Sequence, residues 1–224
     1  MVDLVADREF VVPGQPLSDE ANRAGKHTYV QGGKVYSAVP GIARVVGQRI
    51  DVIPARGPYK PREGDRVVGI VVDVKPSHYE LDLGWGILGI LRAKQRKGGS
   101  RQALAIGDVV YASIGFAGVK GVMLRSGKEV VKVQRGILVR TSPARVPRLV
   151  VRNRELQETI ERETGCKLFV GLNGLIAVVG QSSVKEYAAV AAINLVEREP
   201  RLEGLKEKVT GLIRKHLWEE GSAQ

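Results

Sequence analysis

Apolar and polar positions alternate in short runs through the middle third of the chain. The clearest run is Tyr79–Leu83, which places apolar and aromatic side chains on one face and two acids on the other. Further strand-like runs lie at 65–73, 86–91, 108–114, 121–124 and 130–133. Several short strands at this spacing predict a small closed barrel over residues 62–140.

The first segment also favours strands. Residues 34–39 and 43–46 are strand candidates separated by Pro40-Gly41, and Gln31-Gly32-Gly33 is typical of a hairpin loop. These runs predict a small N-terminal β domain over residues 1–58. Proline-rich stretches at 54–61 and 141–147 divide the chain into three segments, because proline cannot donate to a sheet ladder.

The last third mixes helices with short strands and predicts an α+β domain at 145–200. Residues 149–151 predict a short strand, and Gly165 stands where a helix C-terminal glycine belongs. A final amphipathic helix at about 201–219 is expected to pack on this domain, so that 201–224 forms a helical end. The fold class is therefore multidomain, mainly β and then α+β.

The stretch Gly171-Leu172-Asn173-Gly174 has two interpretations, a phosphate-binding loop or a tight turn. A phosphate loop needs free backbone N–H groups, usually where a strand runs into a helix. Both flanks, 168–170 and 176–179, favour strands, and Asn-Gly supplies the positive φ values of a hairpin turn. We therefore predict a structural turn at Gly171, Asn173 and Gly174.

The residue types give little support for catalysis or for a metal centre. Cys166 is the one cysteine, which excludes a disulfide framework and a thiolate metal site. His27, His78 and His216 fall in three different segments without metal-ligand spacing. There is no nucleophile elbow or phosphate-loop signature, and no apolar run reaches the ~18 residues that span a bilayer. We expect no catalytic residue, no cofactor, no metal and a cytoplasmic location.

Three carboxylates of the barrel segment leave one alternative open. Asp73, Glu80 and Asp82 could in principle gather around a metal ion. The usual exposure of acids favours instead a solvated strand face.

The charge distribution favours a polyanionic partner. The net charge is +11, and Lys plus Arg outnumber Asp plus Glu by 14 to 7 in residues 61–140, against 8 to 6 before and 13 to 11 after. Clustered cations bind nucleic acid because the released counterions drive affinity. The alternative is a solvated surface, or one docked on an acidic protein. Two stretches without a single acid supply the candidates: Arg92, Lys94, Arg96, Lys97 and Arg101 in 84–107, and Lys132, Arg135, Arg140, Arg145, Arg148, Arg152 and Arg154 in 132–154.

Aromatic side chains could complete such a surface, since barrels of this kind combine cations with stacking platforms for single strands. The candidates are His78, Tyr79 and Trp85. Tyr79 would either turn its ring outward to a base or fill the barrel core. Trp85, between Gly84 and Gly86, would either stand exposed in a loop or anchor a contact between domains.

Three groups of residues resemble one known family. Residues 64–71, 81–84 and 106–110 resemble an S1 RNA-binding domain, a five-stranded OB-type barrel. Residues 149–199, with Thr164-Gly165-Cys166 and the 171–174 turn, resemble the variant KH domain of RNA exosome cap proteins. Residues 26–29 and 34–41 resemble the first domain of those proteins. In this order the chain is similar to the archaeal exosome subunits that carry S1 and KH domains.

The resemblance implies a non-catalytic role in RNA degradation. Three cap copies would sit on a hexameric ring of RNase PH-like proteins, with the S1 domains facing the pore and the N-terminal domains holding the ring. The cap would capture single-stranded RNA and guide its 3′ end into the ring. Two other hypotheses remain: a structural scaffold with little RNA affinity, and a nuclease in its own right.

One departure from the family concerns the KH backbone clamp. KH domains hold the RNA backbone with a Gly-x-x-Gly loop, which by alignment falls at Val151-Arg152-Asn153-Arg154. Side chains in place of the two glycines block close backbone approach. Arg152 and Arg154 still attract phosphate, and both stay candidate RNA-binding residues.

Overall fold

The computed structural model describes residues 4–55, 57–93, 104–119, 121–127, 129–150, 155–199 and 204–221. The chain forms two compact units, residues 1–57 and 58–224. Within the described residues, no helix combines the length and the apolar character needed to cross a membrane.

The N-terminal unit consists of two three-stranded sheets, ordered β1-β5-β6 and β2-β4-β3. Gly32 and Gly33, with φ of 58° and 79°, form a two-residue turn between β3 and β4, whereas Gln31 of the predicted loop pairs with Lys34 as the last residue of β3. Small aliphatic side chains such as Val11, Leu17 and Ile50 fill the core. The strands are β1 (Phe10–Val11), β2 (Pro16–Ser18), β3 (Thr28–Gln31), β4 (Lys34–Ser37), β5 (Gly41–Val46) and β6 (Arg49–Pro54), with a 3-10 helix at Ala21–Arg23.

The second unit begins with a closed five-stranded barrel. Its strands are β7 (Arg66–Val74), β8 (His78–Asp82), β9 (Leu88–Arg92), β10 (Val109–Gly118) and β11 (Gly121–Leu124). They follow the order β11-β9-β8-β7-β10, and β10 also pairs with β11, which closes the ring. The pairing of β9 with β11 is parallel. A short strand β12 (Val131–Val133) pairs with β10. This arrangement confirms the predicted OB-type barrel.

The barrel core is mostly aliphatic, as the low aromatic content requires. Leu81 and Leu83 are fully buried, and Gly69 and Gly89 make room for them. A Cβ on Gly69 or Gly89 would lie 2.8 or 2.9 Å from a methyl carbon of Leu83. Tyr59, from the proline-rich stretch, joins this core and donates its hydroxyl to Asp65. The stretch between the two units therefore ends as a part of the barrel.

Among the residues described for the second unit, a three-stranded antiparallel sheet and four helices follow the barrel. The elements follow as β13 (Ile137–Arg140), α1 (Pro147–Val150), α2 (Glu155–Thr164), β14 (Lys167–Val170), β15 (Leu175–Val179), α3 (Ser183–Arg198) and α4 (Leu205–Gly221). The sheet order is β13-β15-β14. One face packs with the helices around a core that includes Ile160, Ile176, Ile193 and Ile213.

Two local features differ from the sequence-based expectations. The predicted strand at 149–151 is wrong, because Leu149 and Val150 end helix α1. Pro147 begins that helix, where its fixed φ suits the first helical position, and a short apolar run cannot by itself distinguish helix from strand. The strand Ile137–Arg140, which falls within the predicted barrel segment, pairs with β15 of the second sheet.

The other face of the sheet β13-β15-β14 packs on the outside of the barrel. Val68 of β7 is fully buried against Phe169, Leu175 and Ala177. Tyr111 of β10 meets the Phe169 ring edge-on, at 5.4 Å between centroids. Barrel and sheet therefore share an apolar interface, which fixes the hairpin β14–β15 against β7.

Candidate nucleic-acid interface

The outward side chains of β8 and β9 form the surface on which OB-type barrels bind oligonucleotides. Successive side chains of a strand point to opposite faces, and Tyr79 and Leu81 point inward. The antiparallel register then sets His78 opposite Arg92, Glu80 opposite Ile90, and Asp82 opposite Leu88. We call these six residues the outer face. The end of the outer face where β8 begins and β9 ends brings together two predicted RNA-binding residues, His78 and Arg92.

Ion pairs balance most of the charge at this end of the outer face. Lys75, in the β7–β8 loop, has its Nζ 2.9 Å from an Asp73 carboxylate oxygen and 3.8 Å from one of Glu80. His78 Nε2 lies 3.6 Å from the same Glu80 oxygen. The hydrogen bond from Lys75 lowers the pKa of Asp73, and that bond raises the pKa of Lys75. Phosphate would have to compete here with Glu80 and Asp73.

Unlike its neighbours on this surface, Arg92 forms no ion pair with any of the described residues. It is the last residue of β9, it is exposed, and its strand partner is His78. The predicted cations Lys94, Arg96, Lys97 and Arg101 follow it directly in the sequence and lie outside the described residues. Arg152 and Arg154 also lie outside them.

Tyr79 does not present its ring to solvent. The residue is only 8% exposed and packs in the barrel core with Leu81 and Leu91. The strand alternation that turns His78 and Glu80 outward requires this orientation. An outward stacking role for Tyr79 is therefore not supported, and the core alternative describes its position.

The described cations of the second basic stretch are partly engaged within the chain. Lys132 Nζ lies 2.6 Å from an Asp108 oxygen. Arg148 donates to the main-chain oxygen of Glu199, and burial lowers the pKa of its guanidinium. Arg135 and Arg140 are exposed. This stretch therefore offers fewer available cations than its composition indicates.

The segment Gly171–Gly174, which we call the junction turn, joins β14 to β15 and rests on the barrel. Gly171, Leu172 and Gly174 donate their N–H groups to the carbonyl oxygens of Leu175, Arg66 and Gly171, at 2.9, 2.8 and 3.0 Å. A phosphate loop would need these donors free. Gly174 has φ of 87°, whereas Asn173 is not among the residues with positive φ. The expectation that both residues adopt positive φ is therefore wrong.

The Asn173 side chain explains this difference, because it forms hydrogen bonds to the barrel, while Gly174 supplies the positive φ of the turn. It is fully buried, and its Oδ1 accepts from Val68 N–H at 3.2 Å. Its Nδ2 donates to the carbonyl oxygens of Val68 and Leu83, each at 2.7 Å. Its main-chain oxygen accepts from Trp85 Nε1 at 2.9 Å. One amide thus joins the hairpin to β7 of the barrel and to the residue that follows β8.

Sequence reasoning missed Lys75 and the apolar part of the outer face. Lys75 lies beside a predicted strand end in a Lys-Pro-Ser-His turn, and its position between the first two barrel strands was the available signal. Leu88 is 56% exposed next to Ile90 on β9. An exposed leucine that interrupts an acidic and basic surface is a further signal, visible only once the strand register is known.

Comparison with known proteins agrees with this architecture. The family model for the exosome RNA binding protein RRP4 N-terminal domain matches residues 8–56. Exosome complex component Rrp4 of Thermococcus kodakarensis is 34% identical over 231 residues, which cover 96% of this chain and 88% of that protein. The Methanothermus fervidus Rrp4 is 32% identical over 93% of this chain.

A solved structure gives an independent match. A crystal structure provisionally described as an exosome complex RNA-binding protein aligns with a TM-score of 0.64 and 25% identity, and covers 73% of this chain. The relatives match nearly the whole chain, and the structural match covers 99% of the other protein. The chain therefore belongs to the family of exosome complex component Rrp4.

Proposed function

We propose that this chain is a non-catalytic cap subunit of an exosome, which captures single-stranded RNA and guides its 3′ end into an RNase PH-like ring for 3′-to-5′ degradation. The observation that carries the proposal is the position of Arg92. It is exposed opposite His78 on the outer face, and the chain continues from it into an acid-free run of cations. The family membership supplies the complex in which such a surface would work.

We assign the barrel to an S1 domain at 62–140 and the following elements to a KH-like domain at 145–200, with 201–224 as its C-terminal helix. The element order β-α-α-β-β-α from β13 to α3 supports the KH-like assignment, with a first strand, Ile137–Arg140, that lies before residue 145 and pairs with β15. The missing glycines at 151–154 favour the barrel as the main RNA contact. Domain boundaries follow the proline-rich stretches, with the N-terminal domain at 1–58.

The N-terminal unit offers a surface for the ring. Phe10, Ile42 and Ile53 are cross-strand neighbours on β1, β5 and β6. Phe10 is 55% exposed and Ile53 46% exposed, on the face opposite the buried Val11 and Val52. Exposed apolar rows of this kind mark interaction sites. We assign this row to the contact with the RNase PH-like ring, with three cap copies for each ring.

Charge neutralisation of the basic run tests the RNA role. A variant with Arg92, Lys94, Arg96 and Lys97 all changed to Gln is compared with a control of the same net charge. The control changes Lys185, Arg198, Lys206 and Lys208 on helices α3 and α4. Binding to single-stranded RNA is measured over a range of salt concentrations. The first variant is expected to bind more weakly, with a salt slope smaller by about 0.7 for each phosphate that it no longer neutralises.

Two results would contradict this assignment. Equal weakening in both variants would mean that only net charge matters, and unchanged affinity in both would remove the basic run from the RNA surface. The second candidate function, a scaffold, is favoured by the ion pairs that occupy Lys75 and Lys132. It predicts that the isolated wild-type chain does not bind RNA yet assembles with ring subunits, as a mass measurement of the reconstituted complex would show.

A further inference from the structure

Trp85 stands in a turn position that rarely accepts a large side chain. Gly84 O accepts from Ile87 N–H at 3.0 Å, and the two residues between them have φ of 59° and 72°. Turns with positive φ at both central residues are type I′, and they favour Asn, Asp or Gly at the first of these positions. A bulky residue there is a conformational outlier, and such outliers collect at functional sites.

The indole is fixed at one edge and open elsewhere. Its Nε1 donates to the main-chain oxygen of Asn173 in the junction turn, whereas 47% of the residue remains exposed. Apart from their chain neighbours, neither Gly84 nor Gly86 has a heavy atom within 4 Å of the place a Cβ would occupy, so no other part of the chain packs against these two positions of the turn. The hydrogen bond to Asn173 accounts for the orientation of the indole, but it does not account for an exposed ring.

The position of the turn continues the outer face. The turn connects β8 to β9 at the end opposite His78 and Arg92. It begins two residues after Asp82 and ends directly before the exposed Leu88. Arg140, at the end of β13, is an exposed cation opposite Leu175, the residue that follows the junction turn. A half-exposed aromatic ring and an exposed cation, both on segments that meet the junction turn, are elements of a single-strand binding site.

We infer that Trp85 is a preorganised stacking platform for one unpaired base of a single-stranded RNA that runs along the outer face. The inference rests on the proposed RNA-binding function and adds a subsite to it. A fixed ring binds a base with little loss of side-chain freedom, because the Asn173 contact has already restricted it. A protein partner that covers the same ring is the competing occupant.

Two substitutions separate the ring from its hydrogen bond. Trp85→Asn removes the ring and places at this φ a residue that accepts it, so the turn is expected to survive. Trp85→Phe keeps an aromatic face and removes the N–H donor. The probe is a single-stranded RNA of about 12 nucleotides, within the range that one barrel covers. We expect Trp85→Asn to weaken binding by roughly 5- to 100-fold, the effect of one stacked base, and Trp85→Phe to stay within a few-fold of wild type.

Fluorescence gives a direct readout in a Trp218→Phe background, where Trp85 is the remaining tryptophan of the two. Stacking is expected to quench its emission, with saturation at the same RNA concentration as binding measured by anisotropy. If RNA binds without quenching and Trp85→Asn binds as wild type, the platform is excluded while the proposed function stands. If Trp85→Phe loses as much as Trp85→Asn, the Asn173 bond rather than stacking supports RNA binding, and the inference is overturned. If the wild type binds no RNA, the proposed function fails with it.

Discussion

The junction turn and the outer face use polar side chains in opposite ways, although both belong to the second unit, residues 58–224. At the junction turn, Asn173 is fully buried and all of its side-chain partners are main-chain groups of the barrel. At the His78 end of the outer face, Lys75 of the adjoining β7–β8 loop, His78 and Glu80 keep 44, 29 and 30% of their side chains exposed. A Glu80 carboxylate oxygen lies 3.8 Å from Lys75 Nζ and 3.6 Å from His78 Nε2. The two regions differ in how far water can replace a missing partner.

This difference separates stability from ligand exchange. A buried donor or acceptor that loses its partner keeps the full desolvation cost, about 1–3 kcal/mol for each group. An exposed ion pair contributes ~0–1 kcal/mol, and solvent or a phosphate can take the place of either partner. At the junction turn, only a side chain with the shape and hydrogen-bonding groups of Asn173 satisfies its buried partners. At the outer face, a side chain of suitable charge is enough, because solvent or phosphate can replace its partner.

The largest expected effect comes from breaking the buried amide. Asn173→Ala leaves Val68 N–H and the carbonyl oxygens of Val68 and Leu83 without their partner. We expect the free energy of unfolding of the second unit to fall by about 3–5 kcal/mol. A denaturant titration measures this loss, with no change in the slope of free energy against denaturant concentration.

Asn194→Ala is the matched control for this change. Asn194 lies within helix α3 of the same unit, is only partly buried, and makes no side-chain hydrogen bond among the described residues. Alanine favours the helix, so we expect a change within about 0.5 kcal/mol. Equal losses in the two variants would mean that the three barrel contacts of Asn173 contribute nothing specific.

Gly174 provides a smaller and sharper test of the same region. Gly174 and Gly165 both have positive φ, 87° and 68°, and both reject a side chain for that reason. A Cβ on Gly174 would also lie 2.4 Å from the main-chain oxygen of Thr141, whereas one on Gly165 meets nothing within 4 Å. We expect Gly165→Ala to cost about 1–2 kcal/mol, and Gly174→Ala to cost about 1–3 kcal/mol more.

Thermal or denaturant unfolding of the two alanine variants measures this difference within one fold. The extra cost at Gly174 has a defined source, because the Thr141 N–H donates to Gly174 O at 2.7 Å and the two segments cannot separate without breaking that bond. Indistinguishable losses would assign the whole effect to backbone conformation and none to the close approach of the turn to the residue that follows β13.

The barrel was predictable from sequence because its strands carry a local signal. Alternation fixed Tyr79–Leu83 to within one residue of β8, His78–Asp82, and turn residues marked the other strands. The same alternation, followed strictly, would have turned Tyr79 inward with Leu81. The parallel pairing of β9 with β11, which closes the barrel, has no local signal and appears only in the structure.

The junction could not be predicted for the opposite reason. Asn173 meets Val68 and Leu83 across 105 and 90 residues of chain, and no short pattern reports such contacts. Asn-Gly correctly indicated a turn but not the use of the amide. Similarly, Gly-Trp-Gly gave no indication that the tryptophan itself, and not only its glycines, would adopt positive φ. These residues follow tertiary contacts, which override local propensity.

The smallest expected effect concerns the outer face, where removal of an acid should improve rather than damage function. Glu80→Gln removes the carboxylate that lies 3.8 Å from Lys75 and 3.6 Å from His78. Lys75 and the His78 ring then meet phosphate with less competition from a carboxylate, and the local charge becomes more positive. We expect RNA affinity at low salt to rise about 2- to 5-fold, with little change in the free energy of unfolding.

Glu63→Gln is the control, because Glu63 precedes β7 at the end remote from Lys75 and pairs with Arg125 at 3.5 Å. It makes the same change in net charge but is not on the outer face. A gain for Glu80→Gln alone, which disappears as salt screens the surface, would place the RNA backbone beside Lys75 and His78. Weaker binding would mean that Glu80 holds the side chains of Lys75 and His78 in position for RNA. In that case the exposed pairs would be ordered parts of the site. The outer face would then depend on specific polar partners as the junction turn does, only less strongly.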